Sequence, residues 1–204
     1  MVVGRMLEQI FIRCYAVIKM HVIFVGLMFV GGIVLGIGPA WLTITNLAYE
    51  FEFDTKEITW RVAWRFYKEN FKRGNALFYL FAGCAGILLY SLYAAVQVKG
   101  IFFLMTSCIL IGAIVLVAVC FILALVTDSR YQTSFRNILK LTLLVFFTNF
   151  FTIIKLLAGI LVVAVITYKS PALLLFGTVS LLVIYVLFIT KGIYQQMNAK
   201  FGME

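Results

Sequence analysis

Few residues in this 204-residue chain could carry chemistry, and their types and spacing limit what that chemistry is. There is one histidine, His21, and no Asp or Glu lies within a long apolar run, so general acid–base catalysis lacks its usual groups. Glu50, Glu52, Asp54 and Glu57 form the acidic cluster. Such oxygen ligands suit a hard cation, but Glu50-Phe51-Glu52-Phe53-Asp54 lacks the glycine and the ligand spacing of a calcium loop, so a solvated loop is expected. Cys14, Cys84, Cys108 and Cys120 show no Cys-x-x-Cys and mostly sit among apolar residues, which fits small hydrophobes rather than zinc ligands or disulfides. Gly36-Ile37-Gly38-Pro39 is no phosphate loop, because no Gly-Lys-Ser/Thr follows and the proline removes a backbone donor. No catalytic residue, no metal and no cofactor is expected.

Lys155 stands apart as an ionisable residue inside an apolar run, which makes it a functional candidate by default. Asn149 and Thr152, with Thr148, lie within about two turns of it, so a polar intramembrane stripe could face a bundle interior. The alternative is that the first part of the run lies along the interface and Lys155 snorkels to the headgroups.

The elements that must hold these residues follow from composition. The chain is 64% hydrophobic and only 12% charged, with a mean hydropathy of +1.09. Soluble domains carry about 45–50% apolar and about 25% charged residues, so the missing solvent is lipid. Disordered, disulfide-stapled and nucleic-acid-binding classes are excluded despite a net charge of +9. Membrane-length runs appear at about Val22–Leu47, Leu77–Val98, Ile101–Val126, Leu141–Tyr168 and Ala172–Ile189. About 20 helical residues cross a hydrocarbon core of about 30 Å, and no strand-length alternation recurs. The expected fold is all-α, a polytopic transmembrane bundle of about five spans in one domain covering residues 1–204. The first run is too long for a cleavable signal peptide and offers no cleavage site, so it is expected to stay.

With five spans, one face holds Lys56, Arg61, Arg65, Lys68, Lys72 and Arg73, then Arg130, Arg136 and Lys140, then Lys191 and Lys200 in the tail. The other holds Arg5, Arg13 and Lys19 with Lys99 and Lys169. The excess puts the C-terminus in the cytoplasm and the N-terminus outside. An alternative topology makes the first apolar run re-entrant at Gly36, Gly38 and Pro39, which returns the N-terminus to the cytoplasmic face. The turns at Lys99-Gly100 and Lys169-Ser170-Pro171 are too short for an outer domain.

Asp54-Thr55-Lys56-Glu57 fits a capping box, which predicts a helix from Thr55 to Arg73. Arg61, Arg65, Lys68 and Lys72 line one face of it and Trp60, Trp64, Tyr67 and Phe71 another, with Glu57–Arg61 and Glu69–Arg73 as i,i+4 pairs. This is a basic amphipathic helix at the interface. Either its aromatics and cations serve membrane lipids, or the same eight residues dock a partner subunit. Residues 131–140 repeat the scheme ahead of Phe146, Phe147, Phe150 and Phe151, a degenerate repeat of the kind transporters show. Residues 7–18 show helical periodicity and are expected on the membrane surface. Gly32 with Gly36, and Ala82 with Gly86, have the spacing for close helix packing, within the bundle or against another subunit.

The run Gly36-Ile37-Gly38-Pro39-Ala40-Trp41-Leu42, followed by an acidic loop and then Trp64-Arg65-Phe66-Tyr67-Lys68-Glu69-Asn70-Phe71-Lys72-Arg73-Gly74-Asn75, resembles the YesL-like bacterial membrane proteins. Arg130-Tyr131, Arg136-Asn137 and Asn149 resemble that family's second polar stretch. The resemblance implies a five-span protein of the cell membrane, encoded beside carbohydrate ABC importers and acting as an accessory to one. The expected function is therefore a noncatalytic scaffold subunit binding carbohydrate ABC permease subunits or their ATPase through the amphipathic helix. The alternative is a small-solute transporter or channel whose pathway runs by Asn149, Thr152 and Lys155.

Overall fold

The computed structural model describes residues 2–201, and within them the side chains of 7–174 and 176–199. The Arg5 and Lys200 side chains, counted above among the cations, lie outside these. Among the described residues the chain forms α-helices joined by turns and no strand, and five helices are long and apolar enough to cross a membrane: Leu7–Val30, Phe71–Val96, Ile101–Tyr131, Phe150–Lys169 and Thr178–Ala199. The protein is a multi-pass membrane protein.

The number of spans matches the sequence pattern, but the first is a different segment. α1 (Val2–Val30) ends at a turn, and α2 (Ile37–Phe51) runs back along it. The apolar run Val22–Leu47 is thus split between two helices. α2 has 15 residues, or about 22 Å, which is short of a crossing. Residues 7–18, expected on the membrane surface, are continuous with α1, whose Leu7–Val30 stretch is long and apolar enough to cross a membrane. The reason is local. Gly32 takes φ +72° and Ile33 φ +60°, a left-handed pair that no helix continues through. Pro39 then falls in the first turn of α2, where its missing N–H has no helical acceptor to lose.

α2 is the hub. Gly38, Pro39, Ala40, Leu42, Thr43, Ile44, Thr45, Leu47 and Ala48 are all buried, so the helix is surrounded by protein rather than lipid. α1 meets it with Ala16, Met20, Ile23, Phe24 and Leu27, one stripe at three-to-four spacing. Trp41 is held edge-on between Phe24 of α1 and Phe121 of α5 (Ile101–Tyr131), at 6.3 and 5.4 Å between centroids.

α3 (Trp60–Glu69) and α4 (Phe71–Val96) follow. The capping box does not form: Asp54 accepts from the Lys56 amide at 2.9 Å and closes a turn, and the helix starts five residues later than Thr55, after extended Thr59. α3 and α4 are separated at Asn70, whose Nδ2 donates to the Phe66 carbonyl at 2.9 Å. α4 and α5 form a hairpin through Gly100, at φ +147°, a conformation open only to glycine. The run Leu141–Tyr168 is also divided, into α6 (Phe135–Thr148) and α7 (Phe150–Lys169). Asn149 breaks it, with Nδ2 donating to the Val145 carbonyl at 3.1 Å. The last run likewise becomes a five-residue α8 (Ala172–Phe176) and α9 (Thr178–Phe201).

Candidate functional site

α3 turns its two faces in opposite directions. Arg61, Arg65 and Lys68 are exposed, as is Lys72 at the start of α4. The aromatics point back into the protein. A Cβ built on Gly26 of α1 would lie 2.8 Å from Cη2 of Trp60, so that ring uses the space a glycine leaves. Trp64 stacks on Tyr67 at 5.6 Å and Phe71 meets Tyr67 edge-on at 5.5 Å. Tyr67 is buried against Gly31, and burial pushes its phenol above the ordinary 10.0. Lys68 lies over Trp64 at 5.1 Å. Of the eight residues expected to bind a partner, the four cations form the accessible row, Trp60 is 47% exposed at its edge, and Tyr67 belongs to the interior.

Neither expected i,i+4 ion pair is present. Among the described residues the ion pairs are Arg73–Asp128 and Lys191–Glu52. Glu57 precedes α3, and Arg73 turns away from Glu69.

Beneath α3 lies the corner of Gly36, Gly38 and Pro39. A Cβ on Gly38 would stand 2.5 Å from the Gly74 carbonyl oxygen and 2.7 Å from Cβ of Phe78, and one on Gly74 would stand 2.6 Å from Cα of Pro39. Two backbones therefore touch here, and the two halves of the sequence motif are contact partners. Gly36 is equally close to the Met28 backbone. The Ala82/Gly86 spacing makes no such contact, since nothing lies within 4 Å of a Cβ on Gly86, nor of one on Gly32.

A buried polar node ties the helix ends together, and it was not apparent from spacing. Asp128 is 3% exposed and pairs with Arg73 at 2.5 Å; Arg73 also donates to the Thr133 carbonyl. One residue earlier, Thr127 Oγ1 hydrogen-bonds the Tyr194 hydroxyl at 2.6 Å. Arg130 lies between the rings of Tyr49 and Tyr194, 4.9 and 4.7 Å from their centroids. Tyr131 donates to Asn198 Oδ1 at 2.7 Å. Successive residues of a helix point about 100° apart, so one turn of α5 reaches α2, α4 and α9. Next to the node, a cleft of about 300 Å³ is lined by Asn46, Glu50, Glu69, Asn70, Arg73 and Asp128, among others.

The polar stripe proposed around Lys155 is not assembled. Lys155 is exposed, Asn149 is occupied by the helix break and by Thr148 Oγ1 at 2.8 Å, and Thr152 is half-buried. The Lys155 carbonyl, rather than its amine, has a partner, Tyr185 OH at 2.5 Å. His21 is buried, its Nε2 donating to the Leu174 carbonyl at 3.1 Å, a strap between α1 and α8. Among the described residues no group of His, Cys, Asp and Glu could hold a metal ion, and the four cysteines are free.

The corner, α3 and the start of α4 form one continuous unit. Residues 17–92 match DUF624, described as a protein of unknown function. The DUF624 match runs from α1 through most of α4 and includes Gly38, Pro39, the α3 cations and Gly74; it covers well under half of the chain. No curated protein and no solved structure matches.

Proposed function

We propose that this protein is a noncatalytic accessory subunit of a carbohydrate ABC importer in the cell membrane, docking on the permease or its ATPase through α3. The observation that supports it is the row Arg61, Arg65 and Lys68 of α3, continued by Lys72 at the start of α4, exposed and without an acidic partner among the described residues, and backed by Trp60, Trp64 and Tyr67 of α3 and Phe71 of α4. Charge held on a rigid support selects an acidic partner and speeds encounter. The importer itself is drawn from the YesL-like resemblance, and the DUF624 match is compatible with it.

The same reading places both termini in the cytoplasm. α1 and α2 form an antiparallel pair, and Arg13 lies 5.3 Å over the Phe53 ring beyond the end of α2. Arg13, Arg130 and Lys191 gather at one end beside Glu52, whereas Lys99 and Lys169 lie at the turns after α4 and α7, an asymmetry that supports this orientation.

The test is a tagged pull-down from native membranes in mild detergent with mass spectrometry. Permease subunits are expected in near-equal amounts with the parent and at least tenfold less with Arg61→Gln/Arg65→Gln/Lys68→Gln, whose melting should match the parent. Unchanged copurification and sugar uptake in that variant would refute the proposal.

A further inference from the structure

A second cleft, of about 510 Å³, opens between α1, the end of α2 and α9, apart from the α3 surface. Its mouth holds Arg13, Arg130 and Lys191 against a single acid, Glu52, which stands 3.9 Å from Lys191. Aromatic faces rather than carboxylates hold two of these cations: Arg13 lies over Phe53, and Arg130 lies between Tyr49 and Tyr194. The Nε of Arg130 is buried with no hydrogen-bond partner. Cations faced by aromatic rings rather than carboxylates keep their charge uncompensated, which fits an oxyanion with several acceptors, above all a phosphate.

The wall leading away from the mouth has the opposite character. Leu181, Ile184 and Phe188 recur on one face of α9, a stripe of about 10 Å that ends at Lys191. Phe188 is 74% exposed, and the stripe belongs to a helix apolar enough to span the membrane. A cleft that is cationic at a helix end and apolar along the span has the polarity profile of one lipid molecule. A phosphopeptide would leave that wall uncovered.

We infer that this cleft binds an anionic phospholipid of the bilayer, its phosphate among Arg13, Arg130 and Lys191 and one acyl chain along Leu181, Ile184 and Phe188. The occupant is drawn from the membrane rather than from solution, because only an attached acyl chain covers the α9 stripe.

Native mass spectrometry of the purified protein in mild detergent tests this, with dioleoyl phosphatidylglycerol, dioleoyl phosphatidylcholine or inorganic phosphate added. One phosphatidylglycerol per chain should be retained in preference to phosphatidylcholine, and inorganic phosphate should not displace it. Arg13→Gln/Lys191→Gln should weaken phosphatidylglycerol about 10- to 30-fold, from roughly one surface cation's attraction each, and leave phosphatidylcholine unchanged. Phe188→Ala, on an exposed side chain, should weaken the long-chain lipid and not its dihexanoyl analogue, and it carries the decision if the double variant melts early. Equal retention of both lipids by parent and variants would overturn the inference, as would displacement by inorganic phosphate, which would make this a site for a soluble anion.

Discussion

At the scale of the residue, the Arg73–Asp128 pair is the tie whose loss should be felt most. A carboxylate only 3% exposed has given up its water, so removing its charge leaves the Arg73 guanidinium, itself 29% exposed, with the Thr133 carbonyl but no counter-charge. Asp128→Asn should cost about 3 kcal/mol, seen as a lower melting midpoint in mild detergent, whereas Arg73→Met/Asp128→Leu should recover most of it. A parent-like midpoint for Asp128→Asn would show that the pair does not hold α4 to α5. Tyr67 gives a pH signature. Burial raises its phenol above 10.0, so the folded state keeps a proton that the unfolded state releases. Stability from this group is complete below that value and declines as pH rises through the folded value. The parent should therefore lose melting temperature above about pH 10 faster than Tyr67→Phe does, and parallel curves would remove Tyr67 as the cause.

Among the elements, the contact between α2 and α4 tolerates no side chain. Gly38→Val should cost about 1–3 kcal/mol, because its Cβ would meet the Gly74 carbonyl, which is backbone and cannot swing aside. Gly86→Ala meets nothing within 4 Å and should be neutral or stabilising by up to about 1 kcal/mol. Comparing the two melting midpoints separates a packing glycine from an incidental one; equal effects would mean that the corner is not close-packed. Local sequence could not make that distinction. Gly32/Gly36 and Ala82/Gly86 have the familiar spacing, yet the contact joins Gly38 and Gly74, which no short motif relates. The apolar runs were legible because lipid exposure demands composition. The reversal in the first run was legible only as the re-entrant alternative at Gly36, Gly38 and Pro39, a few residues beyond the left-handed pair Gly32-Ile33, and the break at Asn149 was not, because a continuous hydropathy signal does not report a change of direction. The polar node was missed for a related reason. Thr127 to Tyr131 look like the wet end of a span, and their partners Tyr49, Arg73, Tyr194 and Asn198 lie far off in sequence. The amphipathic character of α3 was legible, but only the packing against Gly26 and Gly31 shows that its aromatics face inward.

For the whole molecule, the α1–α2 reversal changes how the chain is threaded. Cysteines at position 2 and in the C-terminal tail should both be labelled by a membrane-impermeant reagent in inverted vesicles and protected in intact cells; opposite accessibility would rule out the paired hairpin. The tip of that hairpin exposes Phe29, Val30, Ile33, Val34 and Leu35 and carries no polar side chain, so it suits hydrocarbon rather than water. Backbone at such depth needs its polar groups met from within. The Gly31, Gly32, Ile33, Val34 and Gly36 amides find local carbonyls, and the Val34 carbonyl takes the hydroxyl of Tyr79 at 3.2 Å. That last donor is made forty-five residues later, on α4. During synthesis the Val34 carbonyl therefore waits for its donor until α4 has been made, so the tip is completed only when the later helix joins the hairpin.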